Sequence, residues 1–340
     1  MDLNIIGNGF DLYHGLPSSY YYFACYLIKR DPEFYFEMGR MYAFQTAVYS
    51  HIYEDCEPVV EYNLFWKDFE ERLGQLDSIW LEESLIDDLD LEYPEDAIDI
   101  EIPETANSVT IIRYFVEWVT NTLETKCGIE TIKKLLGNKK LIISDNSFFV
   151  NFNYTSILET IYGISSDNIF YIHNRVSQYE DSQLIVGHGN RKDIEGLKNK
   201  IEKIESETFY LSSQAERNRL NEYVAEKEIL EDLLKDTDYL TFSLINALKN
   251  KSFDNIYIYG LSCGSVDMPY IKCIRKLYPD ATWHFSYYNN NEKLVRNNLA
   301  KELLLPMDKV RYFLFKNDTA EQIKQKIISD LSIETYKTTG

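Results

Sequence analysis

Short, strongly apolar runs recur along the chain at Leu3–Ile6, Phe148–Phe152, Ile169–Ile172, Leu184–Val186, Asn255–Tyr259, Thr282–Tyr287 and Val310–Phe315. All are too short for helices, and Gly, Asn, Asp or Ser bounds most of them, so each reads as a buried β-strand. Between the later runs the apolar positions switch to helical spacing, as in Tyr154–Tyr162, Tyr270–Leu277 and Asn291–Leu303. Continuous apolar strands alternating with helices predict an α/β fold of the Rossmann-like kind, a mostly parallel sheet covered by helices on both faces.

One long stretch breaks this alternation. Residues 20–140 offer helical patterns (Tyr20–Lys29, Phe34–Tyr53, Leu64–Leu73, Val109–Lys126, Ile129–Leu136) and no convincing strand. The reading is a single α/β domain over 1–340, with core strands from 1–18 and 140–340 and a mainly helical insertion at 20–140. A second helical excursion, rich in lysine and glutamate, follows at 191–250. Residues 82–104 hold eleven Asp or Glu and no Lys or Arg, which reads as a solvated acidic loop.

Charge then narrows the partners. The formal net charge of −20 repels nucleic-acid backbones and anionic membranes, and the short lysine clusters have acidic neighbours. Nucleic acid and membrane are therefore disfavoured as partners. No apolar run reaches the length of a membrane span. Five cysteines, an odd number without metal-ligand spacing, together with a strand pattern at the very start, point to a reducing, cytoplasmic setting. The 27 tyrosines suit pocket walls and interfaces without proving either.

Candidate chemistry gathers where strands end. Gly7-Asn8-Gly9-Phe10-Asp11 follows the first strand, and a helix starting there would turn free amides and its dipole toward a phosphate. A tight strand–helix turn with no ligand fits this segment equally well. The third glycine and the second-strand acid of the usual dinucleotide motif are missing, which excludes an ordinary NAD-dependent dehydrogenase. Asp11 would cap the helix or bind a ribose, and His14 would fall on the same side. Asn153 and Tyr154 follow the next apolar run, where the Asn153 amide could orient a water or a ribose hydroxyl, or merely cap a helix.

Two histidines, His173 and His188, end successive expected strands and could share a pocket, one of them as general base. A metal is rejected for want of a third ligand. A last loop, Gly260-Leu261-Ser262-Cys263 with Asp267, opens a helix and could touch a second part of an extended ligand or only cap that helix. Cys263 has no sequence-level partner to activate it as a nucleophile.

In this order and spacing the pieces resemble the AbiH family of bacterial abortive-infection proteins. The resemblance lies in Asn4 to Tyr20, in Phe152-Asn153-Tyr154-Thr155 with Leu158-Glu159, and in Gly260-Leu261-Ser262 with Asp267-Met268-Pro269-Tyr270. AbiH proteins are in turn distantly similar to sirtuin-like NAD-binding domains. The resemblance implies an anti-phage protein that binds NAD as ligand or substrate, without a prosthetic group. It implies Asn153 as the residue orienting water or ribose, and His173 or His188 as base. Gly7, Asn8, Gly9, Phe10, Asp11, His14, Tyr154, Gly260, Ser262 and Asp267 would bind the nucleotide. This sequence departs from the sirtuin-like pattern in Asn174 after His173, and in Cys263 where a leucine is typical.

Three functions follow as expectations: hydrolysis of the nicotinamide–ribose bond of NAD, non-catalytic nucleotide sensing, and a structural role in which the motifs are fold signatures. A phage-derived trigger or a homo-oligomer would accompany the first two.

Overall fold

The computed structural model describes residues 1–43, 68–86, 108–144, 146–176, 184–207, 214–333 and 335. The outer parts of the expected helices Phe34–Tyr53 and Leu64–Leu73, and the acidic stretch from residue 87 onward, lie outside them. The chain divides into two compact units, one built from Met1–Tyr22, Val116–Ile185 and Asp236–Glu334, the other from Phe23–Phe115, Val186–Lys235 and Thr335–Gly340.

The first unit is the Rossmann-like one. Its strands are β1 (Asp2–Ile6), β2 (Ser147–Asn151), β3 (Ile169–Tyr171), β4 (Asn255–Tyr259), β5 (Thr282–Tyr287) and β6 (Val310–Leu314). They form one sheet in the order β3-β2-β1-β4-β5-β6, with every neighbouring pair parallel. That order is the doubly wound one of dinucleotide-binding folds, and its topological switch point lies between β1 and β4.

Alternation along each strand sends side chains to two separate cores. Leu3, Ile5, Val150, Ile258 and Phe285 face one side, where Leu240, Leu244, Ile271, Ile274 and Leu299 cover them from helices Thr237–Leu248, Met268–Leu277 and Asn290–Glu302. Ile6, Phe149 and Ile169 face the other, under Phe10, Ile132, Leu158, Ile323 and Ile327. Both faces are apolar because both are covered, and each fully buried side chain of this size contributes about 1.5–3 kcal/mol.

Six of the seven expected strands form. The exception is Leu184–Val186, which has no regular secondary structure and joins no sheet. Its backbone bonds go elsewhere: the Ile185 N–H donates to the His173 carbonyl, and the Ile185 carbonyl accepts from the Tyr154 hydroxyl. Three apolar residues identify a buried segment, but only pairing makes it a strand.

The second unit holds the helices Pro32–Met41, Phe69–Arg72, Ser78–Ile86, Arg191–Glu207 and Gln214–Asp232. Parts of both expected helical excursions, 23–115 and 191–235, fall into this one unit, whereas 116–140 and 236–250 belong to the first. Phe23 meets Phe69 and Phe115 edge-on at 5.6 and 5.2 Å, and Asp31 caps the helix that Pro32 opens.

Candidate functional site

Each candidate residue of the first unit follows the carboxyl end of a strand. The chain leaves β1 at Ile6 and enters the helix Asn8–Tyr13 with Gly7 as its N-cap residue. Both glycines of this turn are required by crowding. A Cβ on Gly7 would lie 2.4 Å from the Leu261 Cα, and one on Gly9 would lie 2.7 Å from the Gly260 Cα. The turn is therefore pressed against the loop after β4, at the switch point itself.

The Gly7 N–H donates to the Tyr259 carbonyl at 3.0 Å and the Gly9 N–H to the Gly260 carbonyl at 2.8 Å. The Phe10 N–H turns back to the Gly7 carbonyl. These amides knit strand ends together, so they are not held open as the phosphate cradle that the glycine spacing suggests. Asn8 stays exposed, with its Oδ1 accepting from the Ser18 hydroxyl at 2.6 Å.

Asp11 lies inside the helix Asn8–Tyr13 and so cannot cap it. Its buried carboxylate points to the loop after β2. Asn153 Nδ2 donates to Asp11 Oδ1 at 2.9 Å, and Thr155 Oγ1 donates to Asp11 Oδ2 at 2.7 Å. Burial, aided by the charge of nearby Glu124, pushes the Asp11 carboxyl up to about 7 against these two hydrogen bonds. Glu124 is itself held by the Ser156 N–H and hydroxyl, and burial raises its carboxyl too.

Asn153 does not cap a helix either, since Ser156 is the N-cap residue of Ile157–Tyr162. Its backbone N–H donates to Asn151 Oδ1 at 2.9 Å, and Nδ2 donates a second hydrogen bond to the Gly7 carbonyl at 3.0 Å. The side chain thereby ties the end of β2 to the turn after β1. Tyr154 is half-buried and stacks on the His173 ring, with centroids 5.8 Å apart.

The histidines separate. His14 is a core residue whose nitrogens are both engaged: Nδ1–H donates to the Phe10 carbonyl, and Nε2 accepts from the Tyr162 hydroxyl. The Phe10 carbonyl can only accept, which puts the ring proton on Nδ1 and fixes the tautomer; the Leu141 N–H also donates to the Tyr162 hydroxyl. Burial holds the His14 imidazole down at about 4, so it is neutral at pH 7. Phe10 stacks in the same cluster, 4.6 Å from His14 and 6.4 Å from Phe315. Phe10 and His14, expected to bind the nucleotide, are packed in the core.

His188 belongs to the second unit, where Nε2–H donates to the Leu230 carbonyl at 2.9 Å and Nδ1 accepts from the Asn190 N–H at 3.0 Å. Burial lowers its basicity. His173 follows β3 in the first unit, boxed by Phe152, Tyr154 and Tyr270.

The loop after β4 is shaped from behind. Gly260 sits at φ +63°, Cys263 at φ +58°, and buried Arg296 donates to the Leu261 carbonyl at 2.6 Å while pairing with Glu292 at 2.7 Å. Ser262 is exposed, and Asp267 occupies the N-cap position of Met268–Leu277 without a capping side-chain bond. Burial pushes the Cys263 thiol up to about 12, which keeps it protonated and inert as a nucleophile at neutral pH.

Sequence reasoning gave no role to Thr155, Glu124, Tyr162 or Arg296. Thr155 stood within the recognised motif; the other three carry no local signal, because their partners lie far along the chain. Among the described residues, no group of acids, cysteines or histidines is arranged to hold a metal, and no helix is long and apolar enough to cross a membrane.

No curated protein and no solved structure matches the chain. A family model does: that of bacteriophage abortive infection AbiH, over residues 3–287. This span takes in the turn after β1, the Asn153 loop and the Gly260–Asp267 loop, so the chain belongs to the AbiH family of bacteriophage abortive infection proteins.

Proposed function

We propose that the first unit binds a ribose nucleotide, NAD before others, at the carboxyl ends of β1 and β2, and that it hydrolyses the nicotinamide–ribose bond during phage infection. The observation that carries this reading is the convergence of Asn153, Asp11 and Thr155 on one buried hydrogen-bonded centre at those strand ends. Ligands of open α/β sheets collect on that side. Nicotinamide leaves with the bonding pair through an oxocarbenium-like state, and a water oriented by Asn153 adds to C1′ of the ribose. Its proton passes to a base; products are nicotinamide and ADP-ribose. His173 takes the base role, since it follows β3, the strand beside the one that Asn153 follows. His188, with both ring nitrogens committed, has no part in this scheme.

The test is incubation of the purified protein with NAD, with and without phage lysate as trigger, and quantification of nicotinamide. No release under either condition counts against hydrolysis. One observation favours a second reading, a non-catalytic nucleotide sensor: His14, His173 and His188 are each no more than 2% exposed, poorly placed to exchange a proton with water. That reading predicts thermal stabilisation by NAD without turnover.

A further inference from the structure

Asn153 has two amide protons and one carbonyl oxygen to offer. Both protons are spent inward, on the Gly7 carbonyl at 3.0 Å and on Asp11 Oδ1 at 2.9 Å. The amide cannot be turned over, because that would set its oxygen against two acceptors. Among the described residues no hydrogen bond reaches Asn153 Oδ1. Thr155 fixes the second carboxylate oxygen of Asp11 at 2.7 Å, so the carboxylate cannot rotate away. A proton on Asp11 leaves the arrangement intact, since it can sit on Oδ2 and donate to Thr155 Oγ1.

We propose that Asp11 and Thr155 are positioning residues that lock the Asn153 amide with its carbonyl oxygen as the only side-chain group it offers a ligand, so that this point of the site takes a hydrogen-bond donor, a hydroxyl or a water, and rejects a phosphate oxygen. The inference rests on the nucleotide reading above for its ligand, but the lock is a property of the free protein. The amides of Gly7 and Gly9 agree with it, because they serve the last residue of β4 and the loop after it and offer nothing to a phosphate.

The experiment has two readouts. In the ¹⁵N-labelled free protein, the Asn153 side-chain amide protons, assigned by their loss in Asn153→Ala, are protected from exchange in the wild type and in Asp11→Asn, whose own side-chain oxygen can accept in place of the carboxylate. Protection falls at least about tenfold in Asp11→Ala. Thr155→Val removes one hydroxyl and stays folded if Asp11→Ala does not; it gives a smaller loss of the same sign. Unchanged protection in these last two variants overturns the lock. Where the wild type cleaves NAD, Asp11→Ala lowers kcat by about 100-fold with KM within threefold, and Asp11→Asn restores most of it. Equal losses in Asp11→Ala and Asp11→Asn overturn the positioning role. A wild type that cleaves nothing refutes hydrolysis and leaves the exchange readout to decide the lock.

Discussion

The side chains of Asn153 and Asp11, 142 positions apart in the chain, meet at 2.9 Å and join the loop after β2 to the helix after β1. The pair is buried, so the interaction is both a structural clasp and the centre of the candidate site. Its removal should be felt in both respects. In Asn153→Ala the Gly7 carbonyl and the Asp11 carboxylate each lose a donor, at a cost of about 2–4 kcal/mol in denaturant unfolding. Under the hydrolysis reading the same variant loses at least about 100-fold in nicotinamide release, while NAD still raises its Tm. Retained turnover would remove Asn153 from the chemistry.

Asp11 gives stability a characteristic pH dependence. Its carboxyl is pushed up to about 7 in the fold from an ordinary 3.8, so the native state binds the proton more tightly than the unfolded chain. Its contribution is fully present below about pH 4 and is lost as the pH rises to about 7. At ~1.4 kcal/mol for each pK unit the swing is on the order of 4 kcal/mol. Asp11→Asn cannot titrate, so its stability relative to wild type should climb by several kcal/mol across that window. A flat difference in urea unfolding between pH 4 and pH 7 would refute this.

His14 acts in the opposite sense. Its imidazole is held at about 4, below the ordinary 6.5, so the unfolded chain binds the proton more tightly. Stability from His14 is lost as pH falls from about 6.5 to about 4. The two groups oppose each other in wild type, and single variants unmask them. Asp11→Asn should lose stability on acidification, and His14→Phe should gain it. Tyr162→Phe, which removes the donor to Nε2, should cost about 1–2 kcal/mol at pH 7 and shrink the acid dependence.

Gly9, in the turn after β1, and Gly189, in the second unit, should respond very differently to a methyl group. In Gly9→Ala the new Cβ would meet the Gly260 Cα at 2.7 Å and its carbonyl oxygen at 2.8 Å, both backbone atoms that cannot move aside. A loss of more than about 2 kcal/mol is expected, read as a drop in Tm. Gly189→Ala meets nothing within 4 Å and should leave Tm within a degree or two. Equal tolerance at both positions would contradict the close packing of the turn against the loop after β4.

Cys263 should be a poor nucleophile. With its thiol pushed up to about 12, it should react slowly with a disulfide reagent at pH 8, whereas exposed Cys127 reacts readily. Cys263→Ser should leave any NAD cleavage within a few-fold of wild type.

The sequence by itself determined six strands, the helices that cover them and the family, because an all-buried strand must be apolar at consecutive positions and a strand end must turn through Gly, Asn or Ser. It also placed Asn153 and Asp11 at strand ends. What it could not decide was what these groups face. Local spacing left the glycines open between a phosphate cradle and a bare turn, left Asp11 and Asn153 open between helix caps and ligand contacts, and pointed to a shared pocket for His173 and His188. Long-range packing gave the Gly7 and Gly9 amides to the carbonyls of Tyr259 and Gly260, set Asp11 against Asn153 and Thr155, and sent His188 to the other unit. The reason is physical: a buried polar group must find its partner in space, and in this fold the partners of Asp11 lie more than 140 residues away.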